Sequence, residues 1–409
     1  MKILLITPFF YEDSIMGSVK YLLKLCKVLS INNEVTVLTT KSKDIEYTNP
    51  FTAFWKEELI LEEEKINNIL IKRFKVENPN FLIKKINLGY IDRISNLLNI
   101  GLLSEFLYYS KLGPTSRGLE NWLLDNFYKY DLILLSYFPY KIPYYYSKIM
   151  KKKNITFGII PLYHENDPYH NRNFLKNSLK NSNIILELNQ YSVDIFKKKF
   201  NKNSHNIRGY VEMPKIPNKK EIISFKREHD LLGKFIIILV CRKEPNKNYM
   251  MVIEAVEKIE SDKVKIIFIG KDIDKKEINS KKVLYLKDVG DKILNKAFAS
   301  SDILINMSTN ESFGQVFLEA WHYSLPVIGN SNCNQIKSLF ENNKEGFFCK
   351  DLLELKEKII FLKRNPKIKK KMGINGKRKL NREFSKKAFQ KNIEGILEKN
   401  IKDKYFLIL

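Results

Sequence analysis

The chain has 409 residues, more than a single hydrophobic core usually supports, so two domains are expected. Its hydrophobic content of 44% is ordinary for a globular protein, and its four widely separated cysteines lack metal-ligand spacing and are interpreted as reduced thiols of a cytoplasmic protein. No apolar run reaches the roughly 18 residues of a transmembrane helix, and no secretory signal is recognised, so a membrane-spanning chain is not expected.

The net charge is +25, from 71 Lys and Arg against 46 Asp and Glu. Such an excess suits nucleic acid, an anionic membrane surface or anionic small substrates, and it also follows from a composition rich in Lys, Ile, Asn, Tyr and Phe. No RNA-recognition, zinc-finger or helix-turn-helix pattern is present, which argues against nucleic acid. A membrane surface, anionic small substrates and composition alone all stay open as the origin of the charge.

Short apolar strands alternate with helical segments in the N-terminal part. The stretch "KILLITPFF" predicts a strand that runs into a loop with Gly17, and "SVKYLLKLCKVLS" predicts the helix that follows. Residues 68–109 are interpreted as helical or irregular. Further strands are predicted at 34–40, 131–137, 155–163 and 183–188. Continuous apolar strands of this kind are typical of a parallel sheet covered on both faces.

A linker is predicted at 209–222, where "GYVEMPKIPNKK" carries two prolines, between a first domain at 1–208 and a second at 223–382. The strand and helix rhythm then restarts with "KFIIILVC", "KVKIIFIG", "KVLYL", "DILIN" and "LPVIG". Residues 383–409 are predicted as a C-terminal helix that crosses back to the first domain. The expected fold class is α/β, with two doubly wound, Rossmann-like domains that face a cleft.

A first candidate site lies in "VCRKEPNKNYMM", because ligands of open α/β sheets bind beyond the carboxyl ends of the strands. Arg242 follows the strand directly, and Lys247 lies before or inside the first turn of the next helix, where a cation faces the positive end of the helix dipole. An anion between the two would explain the arrangement, and the pair suits a diphosphate. Two solvated cations are the alternative.

A second candidate site lies in "MSTNESFGQVFLEA". A helix is predicted to begin near Phe313 and Gly314 with Ser312 as its N-cap, so that the N–H groups of Gly314, Gln315 and Val316 point at the oxygen atoms of a ligand.

Two carboxylates flank this helix start. Glu311 lies just outside the helix tip, and Glu319 is expected about 10 Å further along the axis, at roughly 1.5 Å per residue. A hexose and a ribose joined by a diphosphate fit such a span. An unpaired buried carboxylate costs several kcal/mol, so Glu319 requires ribose hydroxyls or a buried Lys or Arg as a partner.

In this order the motifs resemble the retaining glycosyltransferases of GT-B fold in family four, the glycosyl transferases of group 1. The family's Glu-x7-Glu signature occurs as "ESFGQVFLEA" and its Arg and Lys motif as "CRKEPNK". The resemblance extends over nearly the whole chain. It implies transfer of a hexose from a nucleotide sugar, UDP- or GDP-linked, with retained anomeric configuration through same-face attack by the acceptor.

The resemblance also implies a role for each matched residue. Glu311 would contact donor-sugar hydroxyls near the reacting carbon, and Glu319 would bind the ribose hydroxyls. Arg242 and Lys247 would bind the diphosphate, and Gly17 would approach the donor phosphate from across the cleft. The donor-binding set is completed by Ser312, Phe313, Gly314, Gln315 and Val316.

His164, in "PLYHENDPYHNR", resembles a cleft-lining histidine that faces donor and acceptor, although a structural role is equally open. The sequence departs from the family at Met16, at Cys241 and at 285–287, where glycine, glycine and "FLG" are usual; these departures leave the base and the donor open. The remaining histidines are interpreted as structural: His170, His205, His229 and His322.

Neither of the two candidate motifs contains an Asp-x-Asp metal motif, and the two cations can replace a divalent ion, so neither a metal nor another cofactor is expected. Domain closure is expected to bring Gly17 and His164 onto the donor. Two alternatives stay open. A GT-B nucleotide-sugar epimerase would need acid and base carboxylates that are not found, and a non-catalytic subunit that binds sugar nucleotides would tolerate the family departures.

The expected partners are the nucleotide sugar, a glycan or lipid-linked acceptor and an anionic membrane surface. Basic clusters at 363–387, 148–153 and 197–202, with an apolar contact at 94–109, predict a cytoplasmic protein held at the inner face of the cell membrane. The acceptor would then belong to cell-envelope polysaccharide or glycolipid synthesis. A lysine-rich composition that scatters such clusters at random is the alternative.

Overall fold

The computed structural model describes residues 1–402 except 13, 15, 50–51, 60, 79–112, 139, 165–169, 171–172 and 288. The predicted apolar segment 94–109 therefore lies outside the described residues. The chain divides into two compact units. Unit 1 comprises Met1–Leu188, Ser192–Ile207 and the chain from Asn392, and unit 2 comprises Asn189–Tyr191 and Arg208–Lys391.

Unit 1 is built on one large, mostly parallel sheet. Its strands are β1 (Lys2–Ile6), β2 (Glu34–Thr40), β5 (Glu63–Ile66), β6 (Ile69–Phe74), β7 (Leu132–Ser136), β8 (Phe157–Ile160), β9 (Ile184–Glu187) and β10 (His205–Asn206). The eight strands have the order β10-β9-β8-β7-β1-β2-β6-β5, and β5 is antiparallel to β6. The strands β3 (Ser42–Asn49) and β4 (Thr52–Glu57) pair separately in an antiparallel ladder.

Local sequence explains these elements. β1 and β7 are apolar at successive positions and buried on both faces, as central strands of a covered sheet must be. The prediction that 68–109 is helical or irregular is wrong for β6, because its pattern "ILIKRF" alternates buried and half-buried residues and pairs with β2. Among the described residues, the helices that accompany this sheet are α1 (Gly17–Leu29), α2 (Arg117–Asn126), α3 (Lys141–Lys152), α4 (Asn173–Asn181), α5 (Gln190–Phe200) and α13 (Lys386–Lys402).

Unit 2 contains a fully parallel sheet. Its strands are β11 (Phe235–Val240), β12 (Val264–Ile269), β13 (Val283–Leu286), β14 (Ile303–Asn306), β15 (Val327–Asn330) and β16 (Gly346–Cys349), in the order β13-β12-β11-β14-β15-β16. Its helices are α6 (Lys219–Glu228), α7 (Tyr249–Glu257), α8 (Asp291–Ser300), α9 (Gln315–His322), α10 (Asn334–Lys337), α11 (Leu352–Arg364) and α12 (Pro366–Glu383).

The strand order creates a switch point between β11 and β14. From β11 the chain builds β12 and β13 outward on one side, and β14, β15 and β16 then build outward on the other. The loops after β11 and β14 therefore diverge at the carboxyl edge of the sheet and leave a crevice, where open α/β sheets bind ligands. In unit 1 the equivalent switch point lies between β1 and β7.

Two glycines of α12 fix the position of α9. A Cβ atom at Gly373 would lie 1.8 Å from the Ser324 carbonyl oxygen, and one at Gly376 would lie 2.2 Å from Cδ1 of the buried Trp321. Only hydrogen in place of a side chain permits this approach, so α12 packs directly against α9 and the turn that follows it. The helix that begins at the crevice is thus held firmly at its far end.

The predicted pair of doubly wound α/β domains is confirmed by these two sheets. The unit boundary falls between Ile207 and Arg208, and α6 begins at Lys219, inside the segment predicted as a linker. Near the C-terminus the boundary falls within α13, between Lys391 and Asn392. No helix in the described part of the chain is both long and apolar enough to cross a bilayer.

Candidate functional site

An ion pair joins the two loops at the switch point of unit 2. Nζ of Lys247 lies 2.9 Å from Oε1 of Glu311, and the two side chains are only 13% and 17% exposed. Lys247 ends a short 3-10 turn, Pro245–Lys247, after β11, and Glu311 lies in the loop after β14. Burial opposes the charged lysine, but the Glu311 carboxylate outweighs it and the pKa of Lys247 is raised.

Backbone hydrogen bonds hold the same two loops together. The Thr309 N–H donates to the Asn246 carbonyl oxygen over 3.0 Å, and the Thr309 hydroxyl donates to the same oxygen over 3.1 Å. The buried Ser308 hydroxyl donates to the Asn310 carbonyl oxygen over 3.1 Å and lies 3.4 Å from Nζ of Lys247. The ion pair therefore sits on a backbone frame, and its position does not depend on two long side chains alone.

Arg242 also has a carboxylate partner. Its guanidinium lies 2.7 Å from Oε1 of Glu244, and the Arg242 side chain is 59% exposed. Sequence reasoning identified both cations but neither pair, and it missed Glu244. A backbone turn, in which the Glu244 N–H donates to the Arg242 carbonyl oxygen over 3.0 Å, accompanies this pair. Both proposed diphosphate ligands are thus neutralised within the protein before an anion binds.

Cys241 lies close to the charged side chains of both ion pairs. Burial raises the pKa of its thiol to about 12, and the charges of Lys247, Glu311, Glu244 and Arg242 all act on it. The cysteine that stands where glycine was expected is therefore an un-ionised thiol beside the site.

The helix start differs from the prediction. α9 begins at Gln315, and its N-cap is Gly314 with φ of 79°, not Ser312. The reason is backbone geometry: the left-handed conformation at Gly314 moves the cap two residues on, and a Cβ atom there would lie 3.0 Å from the Phe317 ring. The first-turn N–H groups of Gln315 and Val316 still point out of the helix end.

Ser312 and Phe313 hold the loop before α9. The Ser312 carbonyl oxygen accepts a hydrogen bond of 2.6 Å from the side-chain amide of Asn189, which belongs to unit 2 and which sequence reasoning missed. Phe313 is 4% exposed and packs against Phe384 with 6.1 Å between ring centroids. The hydrogen bond at Ser312 and the packing of Phe313 thus fix the chain directly after Glu311.

Glu319 is half-buried in α9, four residues after its start. Burial, together with the charge of Glu319, raises the pKa of Tyr323, and the Tyr323 ring stacks on Phe298 at 5.3 Å. The predicted 10 Å offset from Glu311 assumed a helix from Phe313 onward. Because α9 starts at Gln315, the helical rise of about 1.5 Å per residue applies only from there.

In unit 1, Gly17 is the first residue of α1, and a Cβ atom there would meet no described atom within 4 Å. The next residue, Ser18, shares a hydrogen bond with the hydroxyl of Tyr137. Tyr137 follows β7 with φ of 85°, a strained value for a residue that is not glycine. The first turn of α1 and the loop after β7 are thus linked at the switch point of unit 1, through Tyr137, which sequence reasoning missed.

His164 follows β8 and is held by a second histidine. Its backbone N–H donates to Nδ1 of His170 over 3.1 Å, and the two rings meet at right angles with 5.6 Å between centroids. His170 is 3% exposed. Burial, and then the charge of His164, holds the pKa of His170 well below its usual range, so the ring is neutral. The structure brings His164 together with His170 as its support.

The chain is similar to known glycosyltransferases in both sequence and fold. Residues 220–379 match the family described as Glycosyl transferases group 1, and the predicted resemblance is confirmed. The Anabaena protein HepE, solved with UDP and glucose, has a similar fold with a TM-score of 0.68 at 14% identity, over 98% of this chain and 100% of that one. At such identity the likeness establishes the fold, and the predicted GT-B fold is confirmed.

Curated relatives match over shorter stretches. The human alpha-1,3/1,6-mannosyltransferase ALG2 is 23% identical over 52% of this chain and 57% of its own length. The alpha-monoglucosyldiacylglycerol synthase of Acholeplasma laidlawii is 31% identical over 39% of this chain and 41% of its own. The trehalose synthase of Pyrococcus horikoshii is 30% identical over 28% and 26%. The chain therefore spans less than two thirds of each of these relatives.

The buried His170 predicts a loss of stability in acid. Because the folded-state pKa lies below the ordinary value of about 6.5, the unfolded chain binds a proton that the folded chain does not. The stability that neutral His170 contributes to the folded protein is fully retained above about pH 6.5. It is lost as the pH falls toward the folded-state pKa. His170→Asn, which keeps an acceptor for the His164 N–H, should reduce the slope of unfolding free energy against pH by up to about 1.4 kcal/mol per unit.

Urea denaturation of both proteins between pH 7 and pH 5 measures this slope. The comparison uses the difference in slope, so a constant loss of packing in the variant cancels. Equal slopes for the two proteins would contradict the assignment of His170 as a neutral, buried acceptor.

Proposed function

We propose that this protein, whose residues 220–379 belong to the glycosyl transferases of group 1, transfers a hexose from a nucleotide sugar to a glycan or lipid-linked acceptor with retained anomeric configuration. The observation that carries the proposal is the pairing of Lys247 with Glu311 beside the start of α9, at the switch point of a doubly wound sheet. A site with fixed cations, a carboxylate and a helix N-terminus suits an anionic, hydroxyl-rich ligand.

The cations suit the leaving group. A nucleoside diphosphate departs with growing negative charge, and positive groups that are already in place stabilise it without reorganisation. Lys247 is held by Glu311 and Arg242 by Glu244, so both cations are positioned in advance. First-turn N–H groups of α9 add donors for the phosphate oxygens.

The two carboxylates Glu311 and Glu319 are suited to accept hydrogen bonds from sugar hydroxyls. Glu311, next to the cations, accepts hydrogen bonds from donor-sugar hydroxyls near the reacting carbon, and Glu319, further along α9, accepts them from the ribose. Glu244 and Glu311 are each engaged with a cation, which disfavours either as a covalent nucleophile. This supports same-face attack by the acceptor. Gly17, with open space beside it, and His164, held by His170, are proposed as further donor contacts.

Metal independence belongs to the proposal, because Arg242 and Lys247 supply the charge neutralisation that a divalent ion gives in other transferases. No further cofactor is proposed, and the donor is UDP- or GDP-linked. The fold's likeness to HepE, which was solved with UDP and glucose, supports a UDP-sugar as the first donor to test.

The acceptor is proposed to belong to cell-envelope glycan or glycolipid synthesis. The A. laidlawii relative is an alpha-monoglucosyldiacylglycerol synthase, which supports a lipid acceptor. The solvent face of α12 supports work at the anionic inner face of the cell membrane. Lys367, Lys370, Lys371 and Arg378 are exposed there and lie on one side of the helix, opposite the glycines that pack on α9.

Transferase activity is tested with UDP-glucose, UDP-N-acetylglucosamine and GDP-mannose as donors and diacylglycerol micelles as acceptor. Nucleoside diphosphate release should depend on the acceptor, the product should keep the donor's anomeric configuration by NMR, and EDTA should leave the rate unchanged. Loss in EDTA that Mn²⁺ restores would contradict the metal-free step. Interconversion of the nucleotide sugar without acceptor would indicate the epimerase, and donor binding without release would indicate the non-catalytic subunit.

Substitutions of Glu311 and of Glu319 should affect kcat and the Kd of UDP differently. Glu311→Gln removes a sugar contact but also the carboxylate that competes for Lys247, so kcat should fall about a hundredfold while the Kd of UDP is unchanged or lower. Glu319→Gln should raise the Kd of UDP with a smaller change in kcat. Calorimetry with UDP and initial rates separate the two effects. Equal weakening of UDP binding by both variants would contradict the assigned roles.

Vesicle co-sedimentation tests the membrane surface. The protein should bind phosphatidylglycerol vesicles, release them as salt rises, and ignore phosphatidylcholine. Replacing Lys367, Lys370, Lys371 and Arg378 with Gln should reduce binding by more than about tenfold, at about 1 kcal/mol for each cation near the surface. The matched control replaces four cations of α6: Lys219, Lys220, Lys226 and Arg227. An equal loss in the control would mean that total charge, not the α12 face, governs binding.

A further inference from the structure

Lys243 is a fully buried lysine in the middle of the candidate site's sequence motif. It lies between Arg242 and Glu244, and its side chain is 1% exposed, whereas that of Arg242 is 59% exposed. The Glu244 N–H donates to the Arg242 carbonyl oxygen over 3.0 Å, so the chain turns at Lys243. Arg242 and Glu244 pair with each other, and the Lys243 side chain is buried.

The buried ammonium group is fully satisfied. Its three N–H donors have three acceptors: Oδ1 of Asp272 at 2.7 Å, the Lys276 carbonyl oxygen at 2.6 Å, and Oδ1 of Asp274. The second oxygen of Asp274 accepts from the hydroxyl of Tyr249 over 2.6 Å. Burial works against the charge on Asp274, but the hydrogen bonds from Lys243 and Tyr249 lower its pKa to about 2.

The same residue joins two loops through its backbone. The Lys243 N–H donates to the Lys271 carbonyl oxygen over 2.8 Å, and the Lys243 carbonyl oxygen accepts from Ile273 and Asp274 over 3.2 and 3.1 Å. Lys271 to Lys276 belong to the loop after β12, and Lys243 belongs to the loop after β11. Lys243 thus locks two neighbouring loops at the carboxyl edge of the sheet.

The ion network around Lys243 is better explained by a role in positioning the two loops than by a contribution to folding stability. Exchanging a buried ion network for apolar residues of similar size is often neutral or stabilising, because desolvating the charges costs about as much as their attraction returns. What an apolar residue cannot do is select one alignment of two loops.

We propose that Lys243 is a positioning residue of the donor diphosphate site: by binding Asp272, Asp274 and the Lys276 carbonyl it fixes the alignment of the β11 and β12 loops that presents Arg242. The inference rests on the proposed function, since it assigns Arg242 to the diphosphate. It predicts that Lys243, although buried and out of reach of the ligand, acts on UDP affinity through Arg242.

A double-mutant cycle tests the inference with UDP as the probe. Calorimetry measures the Kd of UDP for the full chain, for Lys243→Met, for Arg242→Ala and for the double variant. Lys243→Met should weaken UDP binding about tenfold, as expected for a displaced charged group. In the Arg242→Ala background the same substitution should change the Kd by less than about twofold, because the two effects share one route.

Lys369→Met is the matched control. Lys369 forms a partly buried ion pair with Asp302, directly before β14 and therefore at the opposite, amino edge of the same sheet. Its removal should alter the melting temperature but leave the Kd of UDP unchanged. If Lys243→Met does not fold, Asp272→Asn replaces it, since this variant keeps the shape of a side chain that is 25% exposed and removes one charge.

Unchanged UDP affinity in the folded Lys243→Met or Asp272→Asn variant overturns the inference and leaves the proposed function standing. A loss that adds in full to that of Arg242→Ala, or an equal loss in Lys369→Met, also overturns it, because the effect would then be structural. If the unmodified protein binds none of UDP, GDP or ADP, the proposed function itself fails and the inference falls with it.

Discussion

The candidate site depends on one electrostatic constraint, the neutralisation of Lys247. A lysine that is 13% exposed between two loops must have a counter-charge or lose its proton, and Glu311 supplies that charge from 2.9 Å away. The pair crosses the switch point, between the loops after β11 and β14 that the hydrogen bonds of Thr309 already hold together. In the proposed function, an incoming diphosphate would not fill an empty positive pocket. It would exchange places with the Glu311 carboxylate, which would then be available for a neutral, hydroxyl-bearing group.

The proposed exchange of partners at Lys247 requires rigid surroundings. Three sets of contacts provide them. The hydrogen bonds of Thr309 to Asn246 join the loops after β11 and β14. The buried network of Lys243 joins the loops after β11 and β12. Gly373 and Gly376 let α12 pack directly on α9. None of these contacts uses the side chains of Arg242, Lys247 or Glu311, so these three side chains can change partner without moving their supports.

The sequence was informative where structure is local or periodic. β2 occupies Glu34–Thr40 as predicted, since a run of apolar and β-branched residues specifies a buried strand without knowledge of its neighbours. The motifs placed Arg242, Lys247 and Glu311 in one site, because the carboxyl ends of parallel strands meet at one edge.

The sequence was uninformative where the outcome depends on contacts distant along the chain. The pairing of Lys247 with Glu311 joins residues 64 positions apart, and that of Lys243 with Asp274 joins residues 31 apart. A lysine that is buried looks the same in a sequence as one that is solvated. The misplaced helix start has a different origin: Ser312 is a good N-cap by residue type, but Gly314 takes up a left-handed conformation that only the packing of Phe317 reveals.

These ion pairs separate the candidate site from the chain's excess of positive charge. The chain carries a net charge of +25, yet Arg242, Lys243 and Lys247 each have a carboxylate within ion-pair distance. The excess therefore does not create the candidate site, which is balanced before any ligand binds. It lies instead on solvent faces such as that of α12, where cations are solvated and only weakly coupled to the fold. Composition and site chemistry are thus separate: the proposed approach to an anionic surface depends on the solvated excess charge, and the proposed binding of a small anion depends on ion pairs that exchange partners.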